Sequence, residues 1–84
     1  MRRRLAAGNW KMNGTAASLA EVEALLSAHP SPAVEIVLCP PATLLAQARW
    51  KKGRHPLGLG GQDCHPAGPG AHTGDIAAEM LRDA

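Results

Sequence analysis

The stretch that decides the fold is Leu5-Ala6-Ala7-Gly8-Asn9-Trp10-Lys11-Met12-Asn13-Gly14. Its apolar start predicts a strand over residues 4–8, and Gly8 has no Cβ, so a ligand or another backbone can come close there. Asn9 and Lys11, two residues apart at the strand end, are expected on the same side of the pleat. One cation and one amide held in this way suit a small anionic substrate. The spacing alone leaves a plainer alternative open, a strand followed by an Asn-Gly turn with a solvated Lys11.

The composition is that of a small, alanine-rich chain of 84 residues without Phe or Tyr. A chain of this length normally forms one domain, but so few large side chains make a thin core, and we expect the chain to be part of something larger. The net charge is only +2. The run Arg2-Arg3-Arg4 is too short for a nucleic-acid or targeting segment, and no aromatic stacking platform follows it. We interpret it as a solvated strand entrance and predict no nucleic-acid partner.

Neither the cysteines nor the apolar runs indicate a disulfide framework, a metal site or a membrane segment. Cys39 and Cys64 do not lie in a metal-ligand pattern, so free thiols and no metal are expected. No apolar run approaches the ~20 residues of a membrane helix. We therefore predict no membrane partner and a cytoplasmic location.

Signals for strands and helices alternate along the chain. Ser18 and Glu21 match a capping box ahead of an apolar stripe at helical spacing, which predicts the first helix. The β-branched run over residues 34–38 is typical of a strand buried on both faces. Thr43 is expected to cap a second helix. Leu alternates with Gly over residues 57–61, which predicts a third strand with close packing at its glycines.

A long polar segment, residues 62–74, separates the third strand from a last helix predicted over residues 76–81. Loops of this length without internal structure are usually functional or disordered, and Gly68-Pro69-Gly70 together with Gly74 favours a defined turn. Two alternatives stay open, an element that inserts into a partner and a mobile surface loop. The full order is β-α-β-α-β-loop-α, which predicts a parallel sheet with right-handed crossovers.

Four motifs in this order carry a family resemblance over nearly the whole chain. They are the Gly8–Gly14 stretch, Cys39-Pro40-Pro41, Gly60-Gly61-Gln62-Asp63-Cys64, and Gly70-Ala71-His72-Thr73-Gly74-Asp75-Ile76 with Glu79-Met80-Leu81-Arg82-Asp83 after it. Together they resemble the N-terminal third of the triosephosphate isomerase family. The resemblance implies an α/β fold in which residues 1–84 are an N-terminal fragment of a single (β/α)8 TIM-barrel domain, with three parallel strands, two helices and the start of a third.

The resemblance also implies roles for four residues. Lys11 is expected to be catalytic, binding the substrate phosphate and stabilising the developing enediolate, while Asn9 binds substrate beside it. Gln62 is expected to support Asn9 from the third strand, a simple hydrogen bond at the loop start being the alternative. The 62–75 loop is expected to dock into a second subunit, so that Thr73 supports the neighbour's asparagine and lysine in a homodimer.

The implied activity is the interconversion of dihydroxyacetone phosphate and glyceraldehyde 3-phosphate, with no cofactor and no metal. The glutamate base, the histidine electrophile, the lid and the glycine-rich phosphate loops of the family have no match in this sequence. We therefore expect the 84-residue chain to be inactive alone. The alternative hypothesis is a non-catalytic β/α fragment that acts as an interaction or scaffold module through its long loop.

Overall fold

The computed structural model describes residues 2–84, which form one three-stranded parallel sheet with helices packed against it. The strands are β1 (Leu5–Asn9), β2 (Glu35–Cys39) and β3 (Gly58–Leu59), in the sheet order β1-β2-β3. The helices are α1 (Leu19–Ala28), α2 (Ala42–Lys52) and α3 (Ala78–Asp83). The predicted α/β order with parallel strands is confirmed. No helix within residues 2–84 is long and apolar enough to cross a membrane.

The strand register brings the carboxyl ends of β1 and β2 side by side. Asn9 pairs with Cys39, and the Trp10 N–H donates to the Cys39 carbonyl at 3.0 Å, which extends the ladder by one bond. β3 is shorter than the predicted 57–61, because it pairs with β2 at only two positions. Gly60 still donates to Leu38 at 3.1 Å. Glycine weakens a strand interior, and the chain leaves the ladder at this point.

The glycines of and after β3 lie in crowded positions, as predicted. A Cβ on Gly58 would lie 3.0 Å from Val37 Cγ2, and one on Gly60 would lie 3.2 Å from Cys39 Sγ. At Gly61 the distance to both Leu81 methyl groups would be 2.8 Å. Gly8 differs, since its Cβ would meet Leu38 Cδ1 at an ordinary 3.6 Å. No other backbone of residues 2–84 therefore comes close to Gly8, and the approach of a ligand there stays a prediction.

The hydrophobic core lies on one face of the sheet only. Its buried members are Leu19 and Val22 from α1, Ala48 from α2 and Leu57 just before β3. The residues of β1 are exposed along the whole strand, and β2 has an exposed first residue followed by half-buried ones. The prediction that the 34–38 run is buried on both faces was wrong, because helices cover just one side of it. The core therefore holds the helices to the sheet and leaves the other sheet face open.

The start of α1 differs from the predicted capping box of Ser18 and Glu21. A 3₁₀ turn, Ala16–Ser18, precedes α1 and moves the start of the helical segment upstream to Thr15. The Ser18 hydroxyl accepts a hydrogen bond from the Thr15 N–H at 3.0 Å. The serine therefore serves the turn before the helix, and Glu21 lies in the first turn of α1.

The starts of α2 and α3 also differ from the predictions. Thr43 lies inside α2, and Pro41 occupies the N-cap, where its carbonyl accepts from the Leu44 N–H at 2.9 Å. Proline suits this entry because its φ is already fixed. α3 begins at Ala78 instead of residue 76, because the Ile76 carbonyl accepts from the His65 N–H at 2.9 Å and Ala77 forms a bridge with His65.

Candidate functional site

Asn9 is the last residue of β1 and lies at the carboxyl edge of the sheet. Its Oδ1 accepts a hydrogen bond from the Lys11 N–H at 2.8 Å, so the side chain folds back over the turn that follows the strand. The side-chain amide nitrogen of Asn9 has no acceptor within residues 2–84. In parallel α/β sheets, ligands bind at this edge. Asn9 thus offers a free amide donor at the expected place.

Lys11 lies two residues beyond the end of β1 and has a left-handed backbone, with φ +64°. The prediction that it shares a side of the pleat with Asn9 was therefore wrong, because the pleat ends before it. The Lys11 ammonium makes no hydrogen bond or ion pair with any group of residues 2–84. An unpaired ammonium and a free amide donor, two residues apart in the chain at the carboxyl edge of the sheet, are groups that can bind a small anion.

Gln62 connects the turn after β1 to the end of β2. Its Nε2 donates to the Lys11 carbonyl at 2.9 Å and to the Cys39 carbonyl at 3.0 Å. The expected support of Asn9 by Gln62 takes a different form, because both bonds from Nε2 go to backbone carbonyls and neither goes to the Asn9 side chain. Gln62 therefore holds the peptide that carries Lys11.

Asn13 is a site residue that the sequence reasoning missed. Its Oδ1 accepts from the Trp10 indole N–H at 3.0 Å, and its Nδ2 donates to the Trp10 carbonyl at 2.6 Å. The Asn13 N–H also donates to the Lys11 carbonyl at 3.1 Å. Gly14 follows with φ +104°, and a Cβ there would lie 3.1 Å from the Trp10 indole nitrogen. The Asn-Gly pair was the available signal, and it closes the turn around Lys11.

A groove of about 370 Å³ opens beside the turn, between the end of β1 and α1. Asn9, Trp10 and Asn13 line one side, and Glu21 and Val22 of α1 line the other. Its volume falls within the range of small-molecule sites, about 300–1,000 Å³. Lys11 is not among the lining residues, so the ammonium lies outside this groove.

Thr73 lies at the tip of a tight turn in the 62–75 loop. The Asp75 N–H donates to the His72 carbonyl at 3.0 Å, and Gly74 has φ +89°, which only glycine adopts without strain. No hydrogen bond among residues 2–84 joins Thr73 to Asn9, Lys11 or Gln62. The structure therefore brings Asn9, Lys11 and Gln62 together and leaves Thr73 apart.

The sequence model of the triosephosphate isomerase family matches residues 4–84 of this chain. The chain belongs to the triosephosphate isomerase family. It is 57% identical over 84 residues to a triosephosphate isomerase of Ruegeria pomeroyi and 58% identical over 84 residues to one of Dinoroseobacter shibae. Each alignment covers 100% of this chain and 34% of the relative.

A solved structure gives the same result for the fold. The crystal structure of a triosephosphate isomerase from Bartonella henselae superposes with a TM-score of 0.89, at 48% identity, over 98% of this chain and 34% of that one. The chain thus spans about a third of the length of the triosephosphate isomerases that it matches. Its α/β architecture is that of one third of a (β/α)8 barrel.

Proposed function

We propose that residues 1–84 are the N-terminal part of one barrel domain of a triosephosphate isomerase, which interconverts dihydroxyacetone phosphate and glyceraldehyde 3-phosphate. The observation that carries the proposal is the family match over residues 4–84, together with Asn9 and Lys11 at the carboxyl edge of the sheet. In this fold the active site lies at that edge. The substrate is a small phosphorylated triose.

Lys11 is the catalytic residue that this segment contributes. Its ammonium binds the anionic substrate and stabilises the negative charge that builds up on oxygen as the enediolate forms. Asn9 binds the substrate beside it through its free amide donor. The proton transfers themselves need an acid and a base that have no counterpart among these residues, and the reaction proposed uses no metal and no cofactor.

Gln62 supports Asn9 and Lys11 of its own chain, and Thr73 supports those of a second copy. Gln62 fixes the Lys11 peptide from within the same chain by the bond to its carbonyl at 2.9 Å. Thr73, on its exposed turn, supports the asparagine and lysine of a second copy in a homodimer formed through residues 62–75. A cytoplasmic location fits a small phosphorylated metabolite as substrate.

The test compares the isomerase activity of the 84-residue polypeptide with that of the complete gene product. We expect no turnover above the buffer rate from the polypeptide alone and full turnover from the complete product. Lys11→Ala in the complete product should lower kcat/KM by at least about a hundredfold, the scale for removal of one group that stabilises the transition-state charge. Activity of the 84-residue polypeptide that is lost on Lys11→Ala would contradict the expected inactivity of this segment alone.

An interaction module is the second candidate function. The observation that favours it is the open sheet, since β1 and β3 are edge strands within residues 2–84 and edge strands pair readily with other chains. The two candidates differ in whether the reading frame continues past Ala84 into further strands. A gene that stops at Ala84 would exclude catalysis by this polypeptide and leave the interaction module.

A further inference from the structure

His65 closes the 62–75 loop at its base. Its backbone N–H donates to the Ile76 carbonyl at 2.9 Å, and it forms a parallel bridge with Ala77. Its Nδ1 accepts from the Ala67 N–H at 3.0 Å. Most of the loop is exposed, whereas His65 is half-buried. The backbone of His65 is therefore fixed by Ile76 and Ala77, and its imidazole is fixed by the Ala67 N–H.

The imidazole ring of His65 contacts the imidazole ring of His72. The two imidazoles are stacked, with centroids 4.0 Å apart and planes 27° from parallel. Gly70 makes room for this arrangement, because a Cβ there would lie 3.0 Å from Cδ2 and Nε2 of His72. The carboxylates in this segment, Asp63 and Asp75, form no ion pair with either ring among residues 2–84. Ring stacking thus joins His65, at the base of the loop, to His72, beside its tip.

His72 in turn holds the turn that presents Thr73. Its carbonyl accepts the Asp75 N–H at 3.0 Å, which closes the turn around Thr73 and Gly74. A continuous set of contacts therefore runs from the fixed imidazole of His65, through the His72 ring, to the backbone on both sides of Thr73.

We propose that His65 is a positioning residue for Thr73, acting through its stack with His72. Its functional consequence rests on the proposed function, in which Thr73 supports the active site of a second copy. The stack holds the Thr73 turn in one shape before docking, so that the partner does not have to order it. Ordering a loop on binding costs affinity, and a preformed loop avoids that cost.

The test is hydrogen exchange at single amides in the complete gene product. The Asp75 amide reports the Thr73 turn, because its proton is bonded to the His72 carbonyl, and exchange measures local opening. In His65→Ala we expect Asp75 to exchange roughly two- to tenfold faster, the range for loss of one aromatic contact. The Gly60 amide, bonded to Leu38 in the sheet, is the internal control and should not change.

Two further variants separate the stack from other roles of His65. His65→Phe loses the Nδ1 acceptor but keeps an aromatic ring. Because the ring can still stack on His72, the slow exchange of Asp75 should be restored. Gly70→Ala places a Cβ 3.0 Å from the His72 ring, which displaces that ring, and it should speed exchange as His65→Ala does. An unchanged Asp75 rate in His65→Ala, or a His65→Phe rate equal to that of His65→Ala, would overturn the proposal. Absence of isomerase activity in the unmodified protein would refute the proposed function, and the exchange rates would still decide the role of His65.

Discussion

Lys11 combines an unfavourable backbone conformation with an unpaired charge. Its φ of +64° costs a non-glycine residue free energy, typically about 1–3 kcal/mol for such conformations. Three hydrogen bonds hold its peptide groups: the Lys11 N–H donates to Asn9 Oδ1, and the Lys11 carbonyl accepts from the Asn13 N–H and from Gln62 Nε2. The assignment of Asn9, Lys11 and Gln62 to a site stays a prediction from the sequence, and the left-handed conformation of Lys11 was not predicted. The hydrogen bond from Gln62 joins residues 51 positions apart in the chain, and a local sequence pattern does not predict such a contact.

At the residue scale we predict that a side chain at position 11 destabilises the fold, whereas the ammonium that it carries is needed for the proposed catalysis. Lys11→Gly should be more stable than Lys11→Ala by about 1 kcal/mol, because glycine adopts a left-handed backbone without the steric cost that alanine has. Both variants lack the ammonium, so under the proposed function they should lose isomerase activity equally. Urea unfolding of the complete gene product measures the difference. The matched pair at Met12, whose φ is not positive, should show alanine as the more stable residue, and the same order at both positions would contradict the prediction.

At the scale of elements, periodicity predicted which segments are strands and helices but not where they begin. The Ser-x-x-Glu pattern at Ser18 matches a capping box by sequence, yet a 3₁₀ turn moved the helix start upstream. β3 has only two residues, fewer than predicted, because Gly60 and Gly61 end the ladder. α3 begins later than predicted, because the residues before it form the His65–Ala77 bridge. These boundaries depend on contacts between elements, which a single-sequence pattern does not contain.

The contact of Gly61 with Leu81 fixes α3 against the end of β3, and it gives the element-scale prediction. Gly61→Ala should destabilise the fold by about 1–3 kcal/mol, since its Cβ would lie 2.8 Å from both Leu81 methyls and 3.1 Å from the Asp63 carbonyl. Thermal unfolding of the complete gene product measures the loss. Gly68→Ala is the control, because a Cβ there meets nothing within 4 Å, and it should be neutral or slightly stabilising. Equal losses at the two glycines would show that the Leu81 contact does not matter.

On the scale of the whole molecule, the sheet is covered on one side only. The alternation of strands and helices predicted a parallel sheet, but periodicity could not tell that helices cover a single face of β2. The closure of the strands into a barrel came from the family resemblance, since the pattern of three strands fits any parallel sheet. The exposed face and the β1 edge are the surfaces that a full barrel encloses.

The open sheet predicts that the isolated 84-residue polypeptide associates with itself. Leu5 is 58% exposed on the edge strand β1, and a charged residue on an edge opposes pairing with another chain. Leu5→Lys should therefore lower the average mass in sedimentation equilibrium toward the 8.8 kDa of one chain. Met12→Lys is the control, because Met12 is 96% exposed but lies outside the sheet. If Met12→Lys disperses the polypeptide as well as Leu5→Lys does, association comes from general apolar exposure and the β1 edge has no special part in it.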